Sequence, residues 1–200
     1  MRVDPMIELR DLALDVPNGR WLLENLNLAV PRGGNHLVTG PGSSGKSRLL
    51  RVIAGTERPA RGHVRVGGRE IWPGDGALGL AGRVRVGLTF ASGGLLSNLS
   101  LRENLALPLR FLGFPPVEVQ ARAAAALERL GLRSVADLRP HAVSVSARKQ
   151  ANLARVLALE PELVLLDDPF GGLEAADRAL TQELIQAWAG PSCTLMIAAE

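Results

Sequence analysis

The residue types best suited to chemistry stand between positions 40 and 47, where the chain reads GPGSSGKS. This is the pattern G-x-x-x-x-G-K-[ST], which binds the phosphates of a nucleotide when it connects a strand to a helix. Its glycines let the main chain approach a polyphosphate closely, and the helix that follows adds a partial positive charge. The Lys46 ammonium would lie between the β- and γ-phosphates, and the Ser47 hydroxyl would ligate Mg²⁺.

The rarity of lysine in the chain strengthens this interpretation. Of the 23 lysine and arginine residues, only Lys46 and Lys149 are lysines. A compact ammonium fits a narrow slot that a planar guanidinium would overfill, so its retention at position 46 favours a phosphate site. The residues predicted to bind the nucleotide are Gly40, Pro41, Gly42, Ser43, Ser44, Gly45, Lys46, Ser47 and Arg48.

A second motif, LVLLDDP, covers residues 163–169. An aliphatic strand that ends in an acid would place Asp167 at the carboxyl edge of a sheet, where it would hold Mg²⁺ through water near the phosphate loop. Asp168 would then face the terminal phosphate as the candidate general base. Taken alone, the same pattern is equally typical of a strand that simply reaches solvent.

Alternating apolar patterns and turn residues predict the elements that position these two motifs. A helix after the loop at 47–55 ends at a glycine, as helices commonly do. The continuous apolar run at 163–166 is typical of a strand covered on both faces. Strands are predicted at 6–14, 21–30, 36–39, 64–66, 84–90, 163–166 and 194–199.

The middle of the chain is predicted to be helical. Apolar residues recur three or four positions apart from Ser100 onward, as in Val119, Ala123 and Leu127, and again in a helix at 173–188. Strands that alternate with helices indicate an α/β fold with a mainly parallel core sheet. The first two strands would form an antiparallel part, and the helices of the middle segment would be an insertion.

Composition excludes several classes of protein. With 200 residues, 46% hydrophobic and 22% charged, the chain fits one globular domain. Its single cysteine, Cys193, cannot form an internal disulfide, which favours a reducing cytoplasm. We find no signal peptide and no run of about 18 apolar residues, so we expect neither secretion nor a membrane span. The net charge is only +3 and the arginines are dispersed, which disfavours nucleic acid as a partner.

Four segments of the sequence together resemble the ATP-binding subunit of an ABC transporter over most of the chain. They are GPGSSGKSRLLRVIAG, RPARGHVRVGGREI, LLSNLSLRENLALPL and RKQANLARVLALEPELVLLDDPFGGLE. The stretch 90–113 is similar to the ATPases of bacterial lipid and lipoprotein trafficking systems of the Mla and Lol type. The resemblance implies a P-loop NTPase fold of the ABC ATPase type, with residues 1–200 as one nucleotide-binding domain and a helical subdomain at about 92–157 inserted in a RecA-like core.

The resemblance also implies ATP and Mg²⁺ as cofactors, but two motifs of the family are altered here. Ala91 stands where the Q-loop glutamine follows a strand-ending Phe90, and alanine cannot coordinate anything. The signature LSGGQ aligns with VSVSA at 143–147, which keeps the serine as Ser144 and loses both glycines. In the family this motif caps the γ-phosphate from the opposite subunit, so the β-branched Val145 predicts weak binding in trans.

Four further positions differ around the predicted reaction centre. Asp168 replaces the family's catalytic glutamate and is one methylene shorter, and Glu174 stands where the D-loop aspartate is usual. Val16 aligns with the aromatic residue that stacks on adenine, and Glu200, the last residue given, aligns with the switch histidine. We therefore expect hydrolysis to be slow.

The resemblance implies a subunit that binds MgATP and couples its binding to transport. Its expected partners are a transmembrane permease, docked around 93–113, and a second ATP-binding subunit in a homodimer or heterodimer. The expected location is cytoplasmic, peripheral on the inner face of the cell membrane. Two versions remain open, a weak ATPase and an inactive ATP-binding structural subunit. A soluble P-loop kinase or a non-transport ABC protein is a further alternative.

Overall fold

The computed structural model describes residues 4–15, 21–72, 84–91, 93–188 and 193–199. The strands in these ranges are β1 (Ile7–Asp15), β2 (Trp21–Val30), β3 (Gly34–Val38), β4 (Arg61–Val66), β5 (Arg69–Glu70), β6 (Val86–Thr89), β7 (Leu163–Asp167) and β8 (Thr194–Ala198). The α-helices are α1 (Lys46–Ile53), α2 (Leu101–Phe111), α3 (Pro116–Arg129), α4 (Val145–Leu157) and α5 (Ala175–Trp188). The α/β fold class is confirmed.

The described residues form two compact units. Those within 1–88, 162–168 and 188–200 form the sheet unit, and those within 89–161 and 169–187 form the helical unit. The helical insertion expected at about 92–157 lies inside the helical unit. That unit also takes in nearly all of α5, which the sequence had placed in the core.

One sheet of the sheet unit is antiparallel, with the strand order β2-β1-β4-β5. Along its inner strand β1, the alternation of buried and exposed side chains is interrupted. Leu9 and Leu12 are both fully buried although three positions separate them. An irregularity in the ladder between Arg10 and Ala13 causes the interruption, and Asp11 within it has a φ of 48°. The bulge keeps apolar side chains on the core face along the whole strand.

The other sheet has the order β3-β8-β7-β6, with β3 and β7 both parallel to the central strand β8. Val38 of β3 and Asp167 of β7 both lie opposite Ala198. The carboxyl ends of β3 and β7 therefore come to the same edge of the sheet. Every residue of β7 is buried, which confirms the prediction of a strand covered on both faces.

The core of the sheet unit lies under α1. This helix buries Leu49, Leu50, Val52 and Ile53 among apolar residues of β1, β4, β7 and β8. The buried positions of α1 are three or four apart, as the helical spacing predicts. Packing thus fixes the helix that follows the phosphate loop against strands from both sheets.

In the helical unit, two reciprocal hydrogen bonds stabilise the start of α2. The Ser100 side chain accepts from the Glu103 N–H at 3.2 Å, and the Glu103 carboxylate accepts from the Ser100 N–H at 2.7 Å. The pKa of Glu103 lies below its usual value, first because the Ser100 N–H donates to the carboxylate and second because the Ser100 hydroxyl also interacts with it. The buried Asn104 amide then accepts from the Leu96 N–H at 2.7 Å and donates to the Leu96 carbonyl at 3.1 Å. These bonds fasten the segment before α2 to the helix itself.

Most element boundaries moved by a few residues from their predicted positions. The predicted strand at 64–66 extends over Arg61–Val66 because its whole length pairs with β1 or β5. The short strand β5 was not predicted. Within the described ranges, no helix is long and apolar enough to cross a bilayer.

Gly62 in β4 provides a sharp test of the close packing at the β1 bulge. A Cβ there would lie 2.6 Å from the Asp11 carbonyl oxygen and 2.6 Å from the Leu12 Cα. Gly34 is the matched control, since it also has a positive φ but no heavy atom among the described residues within 4 Å of a Cβ. We expect Gly62→Ala to lower the free energy of unfolding by about 1–3 kcal/mol more than Gly34→Ala, measured by urea unfolding. Equal losses would show that β1 and β4 are not in close contact.

Candidate nucleotide-binding site

The loop that follows β3 leads into α1 with its main-chain donors exposed. Gly45 is the N-cap of α1, with a φ of 95° and no side chain to cap the helix. The first helical bond runs from the Leu49 N–H to the Gly45 carbonyl at 2.8 Å. The preceding N–H groups, from Gly45 to Arg48, have no partner within the helix. In this fully described helix, no acidic residue occupies the first turn, so its start is electropositive.

The ammonium of Lys46 lies over the loop that precedes it. Its Nζ donates to the Gly40 carbonyl at 2.7 Å and to the Pro41 carbonyl at 2.9 Å. The loop is tight, because a Cβ on Gly40 would lie 3.1 Å from the Ser44 Oγ. The cation is therefore held at the start of α1, where its main-chain donors also lie. Such a cradle fits an oxyanion of phosphate size.

Ser47 and Asp167 meet although 120 positions separate them. The Ser47 Oγ donates to the Asp167 Oδ1 at 2.8 Å, and Asp167 is only 9% exposed. A hydroxyl and a carboxylate are the hard oxygen ligands that Mg²⁺ takes, together with waters and phosphate oxygens. No group of three or more metal-binding side chains occurs among the described residues. Two protein oxygens fit an Mg²⁺ whose other ligands are waters and phosphate oxygens.

Asp168 has an unusual backbone. Its φ is 43°, and its N–H donates to the Ala198 carbonyl at 2.9 Å. Aspartate is among the few residues that tolerate this left-handed region. The side chain is half-buried, immediately after the acid that contacts Ser47.

Arg48 differs from the other predicted nucleotide contacts. Its guanidinium donates to the Glu57 carboxylate at 2.5 Å and to the main-chain carbonyl of Asp15. The side chain thus joins α1 to the end of β1 and to the segment after the helix. Any contact of Arg48 with a phosphate would come from its main-chain N–H. Sequence reasoning missed Asp15 and Glu57, whose role depends on the fold.

The segment that was aligned with the signature, residues 143–147, lies in the helical unit at the start of α4. Ser144 is its N-cap, and the Ser144 Oγ accepts from the Ala147 N–H at 3.1 Å. Capping uses only a lone pair, so the hydroxyl hydrogen of Ser144 remains able to bind another group. Val145, the first residue of α4, is 52% exposed. Arg148 closes the loop before the helix by donating to the Val143 carbonyl at 2.8 Å.

The turn that carries Ala91 is held by an arginine that sequence reasoning missed. The Gly93 N–H donates to the Phe90 carbonyl at 3.0 Å. The Arg155 guanidinium donates to the Gly94 carbonyl at 2.7 Å and to the Asn152 side chain at 2.6 Å. Burial lowers the pKa of Arg155 from its ordinary value. These hydrogen bonds hold Phe90, Gly93 and Gly94 beside Ala91.

Of the other positions predicted to differ from the family, the structure describes only Glu174 in addition to those above. Glu174 is exposed just before α5, and its carbonyl accepts from the Arg178 N–H at 2.8 Å. Val16 and Glu200 lie outside the described residues. The structure thus brings together the loop, Ser47, Asp167 and Asp168 within the sheet unit, and it places Ser144 in the helical unit.

A P-loop nucleotide-binding fold is defined by a glycine-rich loop between a parallel strand and a helix. Here Lys46 lies at the start of that helix, and Asp167 ends another parallel strand of the same sheet. The sequence profile of the ABC transporter family matches residues 23–171. The chain therefore belongs to the ABC transporter family.

Relatives within the family carry out different transport tasks. The taurine import ATP-binding protein TauB of Pseudomonas aeruginosa is 36% identical over 166 residues, which are 83% of this chain and 60% of TauB. The intermembrane phospholipid transport system ATP-binding protein MlaF of Escherichia coli is 33% identical over 181 residues, 90% of this chain and 67% of MlaF. The resemblance to Mla-type proteins is thus confirmed. The chain spans about 60% of the length of TauB and 54% of that of an energy-coupling factor relative, EcfA of Methanothermobacter thermautotrophicus.

Solved structures agree on the fold. A dimeric, post-hydrolysis structure of the ATP-binding cassette MJ0796 bound to ADP and Pi matches with a TM-score of 0.86 at 24% identity. The match covers 98% of this chain and 88% of that one. At this identity the likeness establishes the ABC ATPase fold.

The N-cap at Ser144 predicts a measurable loss of stability. Ser144→Ala removes the acceptor for the Ala147 N–H and should cost about 1 kcal/mol in the free energy of unfolding. Ser144→Asp should retain the stability, because aspartate is an equally good N-cap. Chemical denaturation of the three proteins measures the difference. If the alanine variant matches the parent, the hydroxyl does not serve as the cap.

Proposed function

We propose that this chain is the nucleotide-binding subunit of an ABC transporter. It binds MgATP and couples that binding, with slow hydrolysis, to transport by a membrane partner. The observation that carries the proposal is the joint placement of the Lys46 ammonium and the Ser47–Asp167 pair at the carboxyl edge of the parallel sheet. Membership of the ABC transporter family supports it.

Binding of the triphosphate is assigned to the loop from Gly40 to Ser47. The main-chain N–H groups at the start of α1 donate to phosphate oxygens, and Lys46 exchanges its carbonyl partners for the more negative β- and γ-phosphates. Bound Mg²⁺ would neutralise charge on these phosphates, with Ser47 and Asp167 as its protein-side ligands. Asp167 also orients the Ser47 hydroxyl, since the two side chains are hydrogen-bonded.

Hydrolysis is assigned to Asp168 and proceeds slowly. In this step a water oxygen attacks the terminal phosphorus, the bond to the leaving ADP oxygen breaks, and the Asp168 carboxylate accepts a proton from the water. Aspartate is shorter than glutamate by one methylene, which displaces the acceptor by about 1 Å and costs about 100-fold in rate. Ala91 supplies no side chain to orient the water.

The proposed subunit would bind two partners. A second ATP-binding subunit would contact the nucleotide through its own signature, and ATP would drive closure because its phosphates contact both subunits. The altered signature here, with Val145 52% exposed, favours a heteromeric partner. A permease would dock around 93–113, where Leu96 is 46% exposed beside a turn held by Arg155. The subunit would then lie on the inner face of the cell membrane.

One alternative has an observation in its favour. Alanine at position 91 supplies no side chain to orient the attacking water, and the β-branched side chain of Val145 hinders close approach to a nucleotide held by the opposite subunit. A catalytically inactive, ATP-binding structural subunit of a heteromeric complex would tolerate both changes. Such a subunit retains the phosphate loop and needs no base at Asp168.

Replacement of the loop lysine tests nucleotide binding. Lys46→Met removes a cation at the phosphate loop, and we expect the affinity for MgATP to fall about 10- to 100-fold by isothermal titration calorimetry, because a charge-assisted hydrogen bond is worth about 1.5–3 kcal/mol. Lys149→Met, which changes the chain's other lysine on α4, is the matched control and should bind normally. Unaltered affinity in Lys46→Met would overturn the proposal.

Substitutions of Asp168 separate a weak ATPase from an inactive subunit. In single-turnover assays at saturating MgATP, Asp168→Asn should lower the rate of hydrolysis to background, because the amide cannot accept the proton. Asp168→Glu should raise it above that of the parent by restoring the reach of the carboxylate. Equal background rates in all three proteins would favour the inactive structural subunit instead.

A further inference from the structure

Arg48 joins the start of α1 to the end of β1. Its Nη1 atom donates to the main-chain carbonyl of Asp15, the last residue of β1. Its Nε atom donates to the Glu57 carboxylate at 2.5 Å. The side chains of Arg48 and Glu57 are largely buried, with 23% and 26% exposed. Solvent therefore screens these contacts less than it screens a surface ion pair.

Glu57 fixes the position of the Arg48 guanidinium. Its Oε1 atom accepts from Arg48, and its Oε2 atom accepts from the Arg51 Nε at 2.9 Å. A carboxylate that uses both oxygens on two arginines of one helix is fixed in its orientation, and charge-assisted hydrogen bonds of this kind are strong. With Nε bound to Glu57, the Nη1 atom of Arg48 is directed at the Asp15 carbonyl.

Successive residues of α1 face different parts of the sheet unit. The Ser47 hydroxyl donates to Asp167 at the end of β7, whereas the Arg48 guanidinium reaches the end of β1. Neighbouring side chains on a helix point about 100° apart, since 3.6 residues make one turn. The start of α1 therefore has the acid of β7 on one side and the end of β1 on another.

The first residues of β2 also lie against the start of α1. A Cβ placed on Gly45, the N-cap of α1, would lie 3.5 Å from the Leu22 Cβ and 3.7 Å from the Leu23 Cγ. Both leucines are half-buried. The end of β1 pairs with the start of β2, with Asp15 opposite Trp21. The contact from Arg48 thus holds both strands where they approach the phosphate loop.

The direction of a bound nucleotide follows from these positions. Under the proposed function, Mg²⁺ at Ser47 and Asp167 bridges the β- and γ-phosphates, so the terminal phosphate lies on the side of β7. The α-phosphate and the nucleoside then leave the loop away from β7. In that direction the end of β1 and the start of β2 lie beside the start of α1.

We propose that Arg48 is a positioning residue for the nucleoside end of ATP. It acts through β1 rather than by contact with phosphate, because its guanidinium is directed to Glu57 and to the Asp15 carbonyl. By holding the end of β1 against α1, it keeps β1 and β2 beside the bound ribose and base. This inference rests on the proposed function and deepens it, since it separates the residue that positions the nucleoside from the loop that binds the phosphates.

Two ligands distinguish this role from a contact with phosphate. MgATP contains the nucleoside and magnesium tripolyphosphate lacks it, and each is titrated into the full chain by isothermal titration calorimetry. We expect Arg48→Met to weaken MgATP binding about tenfold and tripolyphosphate binding less than about twofold, because it removes hydrogen bonds that lie outside the phosphate loop. Arg48→Lys should show the same selective loss, since one ammonium cannot replace two guanidinium nitrogens directed at different partners.

Arg51→Met is the matched control. It removes an arginine from the same helix that bonds to the same carboxylate, Glu57, so it produces an equal change of charge. We expect the ratio of the MgATP and tripolyphosphate affinities to stay at the value of the parent protein. Circular dichroism spectra verify that each variant is folded, and Arg48→Lys, which keeps the charge, provides the test if Arg48→Met does not fold.

Four outcomes would overturn the proposal. They are equal weakening of both ligands in the Arg48 variants, unchanged binding of both, an equally selective loss in Arg51→Met, and no binding of tripolyphosphate by the parent. In each case the parent still binds MgATP, so the nucleotide proposal stands. The nucleotide proposal itself fails, and this inference with it, if the parent binds no MgATP or if Lys46→Met leaves the affinity unaltered.

Discussion

Parallel pairing of β3 and β7 with the same central strand is the constraint on which the nucleotide site depends. Val38 and Asp167 both lie opposite Ala198, so the residues that follow β3 meet the acid that ends β7. A shift of one position in the ladder between β7 and β8 would reverse the side on which Asp167 projects. The 2.8 Å bond from Ser47 to Asp167 is the direct result of this register.

Under the proposed function, nucleotide binding and turnover depend on different parts of the chain. The phosphate loop has its glycines, its lysine and its partner acid, all of which lie in the sheet unit. The positions at which the sequence resemblance implies a change, Ala91, Val145 and Asp168, would concern the attacking water or a neighbouring subunit. The proposed subunit would therefore hold a nucleotide firmly and cleave it slowly, and ATP binding itself would supply the useful free energy.

Short sequence patterns predicted those features that depend only on residues close together in the chain. The loop at 40–47, the buried run of β7 and the helical middle segment all follow from periodicity and turn residues within short windows. The roles of Arg48 and Arg155 were not predictable in this way, because their partners lie 33 and 61 positions away at Asp15 and Gly94. The bulge in β1 was missed for a similar reason, since it is defined by pairing with β4.

The scarcity of lysine has a practical consequence for chemical labelling. The whole chain carries two side-chain amines, one bonded to loop carbonyls at Lys46 and one on α4 at Lys149. An acylating reagent directed at amines would therefore produce a very simple pattern of modified peptides. The ratio of modified Lys46 to modified Lys149 reports how well the loop shields the Lys46 ammonium. Lys149 serves as the internal reference in every sample.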